Sequence, residues 1–275
     1  MLRLLHYYYI IQTLIKTMKQ LISFTIIIIT TISIYAQQKK ELTEIDRFAL
    51  EGIIVEQYHV ADSIDYADTV GGILAKGSVT YRIYIDLKPG YTLQAVYGVP
   101  NHELSIETTS VFYNNIVRGN ITGDLIDDKK INENNVALDS WLSMGAATKL
   151  RFGIPKTDDR DGSIIQKKSF ANADGLVIGN VPHVAYFGLD LSFFNNEKTA
   201  SSFRSNNGSV AVFGGAKGFD NDNRILIAQL TTNGKLSFEL NIQIGTPSGG
   251  TVQYVANNPE GAEIKYAALT YSKKK

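Results

Sequence analysis

Residues 236–244 alternate without a break. Leu236, Phe238, Leu240, Ile242 and Ile244 fall on one side of the chain, with Ser237, Glu239, Asn241 and Gln243 on the other. A period of two over this length marks a half-buried strand, because successive β-carbons point to opposite faces of a sheet. Asn233-Gly234 stands just before it and favours a hairpin turn. Apolar matching then sets the register. A two-residue loop on Asn233-Gly234 opposes Thr231 to Leu236 and Gln229 to Phe238. A three-residue loop, Thr232-Asn233-Gly234, opposes Leu230 to Leu236, Ala228 to Phe238 and Leu226 to Leu240. A slip of one residue moves a whole face, so the three-residue loop is expected, with Gly234 at positive φ in a bulged turn. After the Pro247-Ser248-Gly249-Gly250 turn, residues 251–256 complete a unit of three consecutive antiparallel strands over residues 224–256.

The same period recurs upstream. In residues 78–87, Val79, Tyr81, Ile83, Ile85 and Leu87 oppose Thr80, Arg82, Tyr84 and Asp86. Lys88-Pro89-Gly90 is ordinary turn chemistry and leads into a strand at 91–97. Further strands are expected at 52–60, 103–113 and 184–194. A hairpin on Asn207-Gly208 should join 200–205 to 209–213, and 263–271 should close the sheet. Residues 37–50 suit one short helix with Leu42, Ile45, Phe48 and Ala49 on one side. Short strands separated by turn signals predict an all-β protein, an antiparallel β-sandwich or jelly roll. AVYG at 95–98, AYFG at 185–188 and AVFG at 211–214 echo one another. The echo fits either two related halves dividing near Pro155 or repeated use of one kind of strand ending.

Composition changes this picture mainly at the N-terminus. Residues 21–36, LISFTIIIITTISIYA, are apolar and uncharged, with Lys16 and Lys19 before them and a polar run after. That is the layout of a secretory signal peptide, expected over residues 1–36, with Met18 an alternative start. The run is short for a membrane anchor, so no stable span is expected after cleavage. Cleavage removes Arg3, Lys16 and Lys19 and no acid, leaving 24 basic against 27 acidic residues in one module over 37–275. Such a balance gives no electrostatic reason for a nucleic-acid partner. There is no cysteine, which excludes disulfides, thiol nucleophiles and thiolate metal sites.

Candidate chemistry is sparse. His59, His102 and His183 remain after cleavage, in no zinc-type spacing, and His59 on its strand is expected to be structural or exposed rather than a ligand. No G-x-S-x-G elbow and no G-x-x-x-x-G-K loop occurs. Asp62, Asp65 and Asp68 are spaced so that one loop could converge them on calcium, which takes several oxygen ligands; a solvated turn is the alternative. Asp159-x-Asp161-Gly162 matches only part of the helix–loop–helix calcium pattern, since Lys168 stands where its last carboxylate belongs. Trp141, the sole tryptophan, is the one weak candidate for a sugar-stacking platform, against a place in the core. A glycosidase-type acid pair cannot be picked out among so many acids by spacing.

The strings GSVTYRIYIDLKPGYTLQAVYG, LSIETTSVFYNN, ALDSWLSMGAAT, FGLDLSFFNN and LIAQLTTNGKLSFELNIQIGTP resemble a β-rich module of exported proteins from bacteria that use type IX secretion. The resemblance spans most of residues 52–270. It implies export to the periplasm, cell surface or medium and carries no activity or site residues. No added sorting domain follows Lys275, so general secretion is the simpler expected route. The expected function is non-catalytic, binding or structural, toward an extracellular glycan or a surface protein. The alternative is a secreted polysaccharide-acting enzyme using an acid pair.

Overall fold

In the computed structural model, which describes residues 42–195 and 200–272, seventeen strands build four sheets. In chain order they are β1 Leu50–Val60, β2 Val79–Leu87, β3 Thr92–Gly98, β4 Leu104–Thr108, β5 Trp141–Leu142, β6 Ala146–Thr148, β7 Arg151–Gly153, β8 Leu176–Ile178, β9 Ala185–Phe187, β10 Ser202–Ser205, β11 Gly208–Ala216, β12 Arg224–Thr232, β13 Leu236–Glu239, β14 Asn241–Gly245, β15 Thr251–Val255, β16 Ile264–Lys265 and β17 Thr270–Ser272. One short α-helix, α1 Ser63–Ala67, follows β1. The sheets run β1-β2-β12-β5, β10-β4-β13-β17, β16-β15-β14-β3-β11-β9 and β6-β7-β8. Pairing is antiparallel except between β15 and β16. The protein is therefore an all-β sandwich, as the alternation predicts. No helix among the described residues is long and apolar enough to cross a membrane.

One core joins the layers. Tyr81, Ile83 and Ile85 of β2 and Ile225 and Ile227 of β12 share it with Leu93 and Val96 of β3, Ile106 of β4, Phe238 of β13 and Ile242 and Ile244 of β14. The layer facing β2 and β12 is one sheet broken across its middle. Strands β10, β4 and β13 lie side by side, and their chain neighbours β11, β3 and β14 continue in the same order. Asn241 holds the break. Its buried amide donates to the carbonyls of Tyr97, His102 and Glu103 at 3.3, 3.0 and 3.3 Å.

Residues 224–256 depart from the expected meander. β12 pairs with β2 and β5, whereas β13 pairs with β4 and β17, so the two strands lie in different layers. Leu230 opposes Tyr81 and Leu236 opposes Thr108. Alternation reports only that one face is buried; here Leu230 and Leu236 meet that need from opposite sides of one core. Gly234 is not among the glycines with positive φ. Its N–H instead donates to Thr232 Oγ1 at 2.9 Å as the chain crosses over. The alternating run also divides at Leu240, whose N–H bonds Leu269 O at 2.9 Å.

The Asn207-Gly208 hairpin is likewise replaced. β10 pairs with β4 while β11 pairs with β3 and β9. The strand expected at 103–113 ends at Thr108, and that at 184–194 shortens to β9 followed by a 3-10 turn, Leu191–Phe194. The first described turn, Ile45–Phe48, is also 3-10. It exposes Ile45 and Phe48 and buries Asp46, which accepts from Thr43 and from the Tyr91 hydroxyl. Strands β2, β3 and β4 pair with β12, β11 and β10 across Pro155. The expected signal peptide and the final lysines lie outside the described residues.

Both faces of β2 are covered. Loops between residues 113 and 176 fold over its polar side and add a second core of Tyr58, Tyr84, Trp141, Phe170 and Leu226. Arg82 is buried there. It lies 3.5 Å over the Tyr58 ring and donates to Gln229 Oε1 at 2.9 Å and Gly175 O at 3.0 Å.

Candidate functional site

The acidic loop folds locally. Asp62 caps α1, accepting from the N–H groups of Ile64 and Asp65 at 2.7 and 3.1 Å, and the Asp65 carboxylate returns the contact to Asp62 N–H. This reciprocal box satisfies donors that a helix start leaves unpaired. Asp65 is buried between His59, 2.7 Å from its Oδ2, and Lys167, 3.0 Å from its Oδ1. Burial pushes its pKa up, but hydrogen bonds from His59, Lys167 and Asp62 N–H outweigh it and hold the carboxyl well below the usual range. Asp68 lies beyond the helix end and accepts from Val70 N–H and the Asn134 amide. Among the described residues no three His, Asp or Glu side chains converge as a metal site. Trp141 is 2% exposed and sits in the second core, so its ring offers no face to a sugar. His59 is buried, stacked on Phe170 at 5.0 Å.

Carboxylates do gather on the outer side of β10-β4-β13-β17. A shallow depression of about 300 Å³ there is lined by Glu103, Glu107, Glu239 and Arg204. Arg204 bridges Glu107 and Glu103. Hydrogen bonds from Ser202 and then Arg204 keep the Glu107 pKa low, the reverse of what a general acid requires.

The outer face of the six-stranded sheet differs in character. Residues directly opposite across a sheet share a face, so two rows can be followed. One is Gln253, Gln243, Ala95, Ala211 and Ala185. The next is Tyr97, Ser209 and Phe187. Alanine and serine keep the middle low. Glutamines rise on one side, and Phe187 rises on the other. The resulting depression of about 470 Å³ has no charged lining residue. Gln243 donates to Gln94 Oε1 at 2.8 Å, which leaves each amide further hydrogen-bonding capacity. Tyr97 lines the same depression; its hydroxyl is shielded from solvent and has no hydrogen-bond partner. Burial, then the charge of Glu263, pushes the Tyr97 pKa up to about 12, so it is a neutral donor. Phe187 packs edge-to-face on Phe213 at 6.3 Å, and the two rings are 52% and 86% exposed. Exposed aromatic pairs of this kind mark interaction surfaces.

None of these face residues stands out singly in the sequence. The signal was the echo of AVYG, AYFG and AVFG. Those strings lie on the adjacent strands β3, β9 and β11 with Ala95, Ala211 and Ala185 in one row. Neither a family model, nor a curated protein, nor a solved structure matches the chain.

Proposed function

We propose that this is an exported, non-catalytic binding protein whose outer six-stranded face recognises a neutral extracellular glycan. The observation that carries the proposal is the uncharged depression that joins glutamine amides to an exposed Phe187–Phe213 pair. Sugars present apolar C–H faces suited to aromatic rings and hydroxyls that pair with amides. A charged polymer would lose hydration on this face without gaining an ion pair. The apolar run at residues 21–36 supports export. The proposal requires no cofactor.

Glycan-array binding together with a reducing-sugar assay tests it. Retention of neutral glycans without release of reducing ends is expected. Turnover abolished by substituting Glu107 or Glu239 would instead establish the polysaccharide-acting alternative. Mass spectrometry of the protein from its native cell should show a new N-terminus near residue 37; an intact Met1 or Met18 there contradicts export by a cleaved signal.

A further inference from the structure

Residues 69–75 and 111–116 enclose a cavity of about 560 Å³ that shares no lining residue with the glycan face. Its size is that of a small-molecule site. Gly71 and Gly72 form one wall at φ of 91° and 130°. A β-carbon on Gly71 would meet the Asn115 amide at 2.3 Å, so only glycine lets this loop lie so close. Ile116 N–H ties the wall down at Gly71 O, 2.9 Å away. Ile73, Val111 and Ile116 line the cavity and stay exposed, a concentration of aliphatic surface that burial would favour covering.

Tyr113 is the polar landmark. It is 7% exposed, lines the cavity, and its hydroxyl has no hydrogen-bond partner. The neighbouring Asn115 amide faces the phenol oxygen as a donor, but it offers no acceptor to the phenol proton, because its Oδ1 already accepts from Val117 N–H at 3.2 Å and Arg118 N–H at 3.0 Å. A buried donor without an acceptor is costly. Burial, then the charges of Asp139 and Asp68, raise the Tyr113 pKa against the opposing pull of the Asn115 amide, so the phenol stays protonated. The Asp65 carboxylate, held ionised, would repel an anionic head group. Gly72 packs against the Tyr113 ring, its ideal β-carbon lying 3.6 Å from Cε2, so access to the hydroxyl involves an outward shift of this loop.

We propose that this cavity binds a neutral aliphatic molecule carrying a hydroxyl or carbonyl oxygen. The oxygen accepts from Tyr113 Oη, and the hydrocarbon lies against Ile73, Val111 and Ile116.

The test uses the neutral dye N-phenyl-1-naphthylamine, which brightens in apolar surroundings, with the purified protein at about pH 8, where carboxylates are ionised. Decanol, decanoate and decane compete below their micellar or solubility limits. Saturable brightening is expected, with decanol displacing the dye at roughly tenfold lower concentration than decanoate or decane. Tyr113→Phe should remove most of the decanol advantage, about fivefold for one hydrogen bond, and leave dye binding intact. Val111→Trp, at a half-open wall position, should block the dye. Melting curves establish that both variants fold; should either fail, the ranking of the three competitors on the unaltered protein decides. No saturable brightening, equal displacement by decanoate, a decanol advantage that survives Tyr113→Phe, or dye binding that survives Val111→Trp would each overturn the proposal.

Discussion

Gly234 separates two explanations of one turn. If its φ were positive, Asn would replace it more cheaply than Ala, because Asn tolerates the left-handed region. The structure gives a different constraint. Its φ is not in that region, and a β-carbon there would lie 2.4 Å from Thr108 Oγ1 and 2.6 Å from the backbone nitrogen of Ser110. Thr108 Oγ1 is held at 2.8 Å from Thr232 Oγ1, and Lys235 N–H donates to Thr109 Oγ1 at 2.9 Å, so the segment cannot simply swing away. Overpacking of this kind costs about 1–3 kcal/mol. The reduced freedom of the unfolded chain returns about 0.4–1 kcal/mol. Gly234→Ala should therefore lose roughly 1.3 kcal/mol, the difference of the midpoints of these terms, within bounds of about 0–2.6 kcal/mol. Gly234→Asn forces further atoms into the same gap and should lose at least about 1 kcal/mol more. Urea melts with unchanged slope measure both. An Asn variant more stable than the Ala variant would refute the close-approach account.

Three further perturbations address the two cores. Arg82→Met removes a buried cation and its three hydrogen bonds, two of them shared by one nitrogen, leaving Gln229 Oε1 and the Asp174 and Gly175 carbonyls without this donor; with charged hydrogen bonds worth about 1.5–3 kcal/mol per donating nitrogen it should cost about 3–6 kcal/mol in urea melts, and a loss under about 1 kcal/mol would contradict its structural role. Phe238 is buried and stacks on Tyr271 at 5.2 Å, so Phe238→Ala should cost about 3–5 kcal/mol, while Glu239→Ala on the outer side stays within about 0.5 kcal/mol; the opposite order would invert the sandwich. The folded pKa of Asp65 is depressed, so its contribution is present above the ordinary carboxylate value of about 3.9 and is lost as pH falls toward the folded value. Stability measured from about pH 7 down to pH 3 should drop more steeply for the native protein than for Asp65→Asn, and parallel curves would show that the His59 and Lys167 contacts contribute nothing.

Alternation located β2 and the run that divides into β13 and β14, because each has a face in the main core. Strand partners were less legible. Turn dipeptides such as Asn233-Gly234 and Asn207-Gly208 suggest neighbours in one sheet, yet both connect strands that pair elsewhere. The polar side of β2 looked solvent-facing because sequence period cannot reveal a second layer. Thr80, Arg82 and Tyr84 are instead covered by loops rich in Asn and Asp, whose polar groups satisfy one another. The acidic residues 62, 65 and 68 suggested a ligand, but two of them serve the start of α1. The proposed glycan face went unseen because its residues are spread over β15, β14, β3, β11 and β9, and only strand pairing brings them together.

The central claim is tested most directly by the affinity of the Phe187→Ala/Phe213→Ala double variant for a neutral polysaccharide retained by the native protein. Both rings are exposed, so the melting curve should not move. Loss of two stacking contacts should weaken binding roughly tenfold or more. Anionic glycans should bind neither protein. Undiminished affinity in the double variant, or a preference for anionic glycans, would contradict the assignment of this face as the binding site.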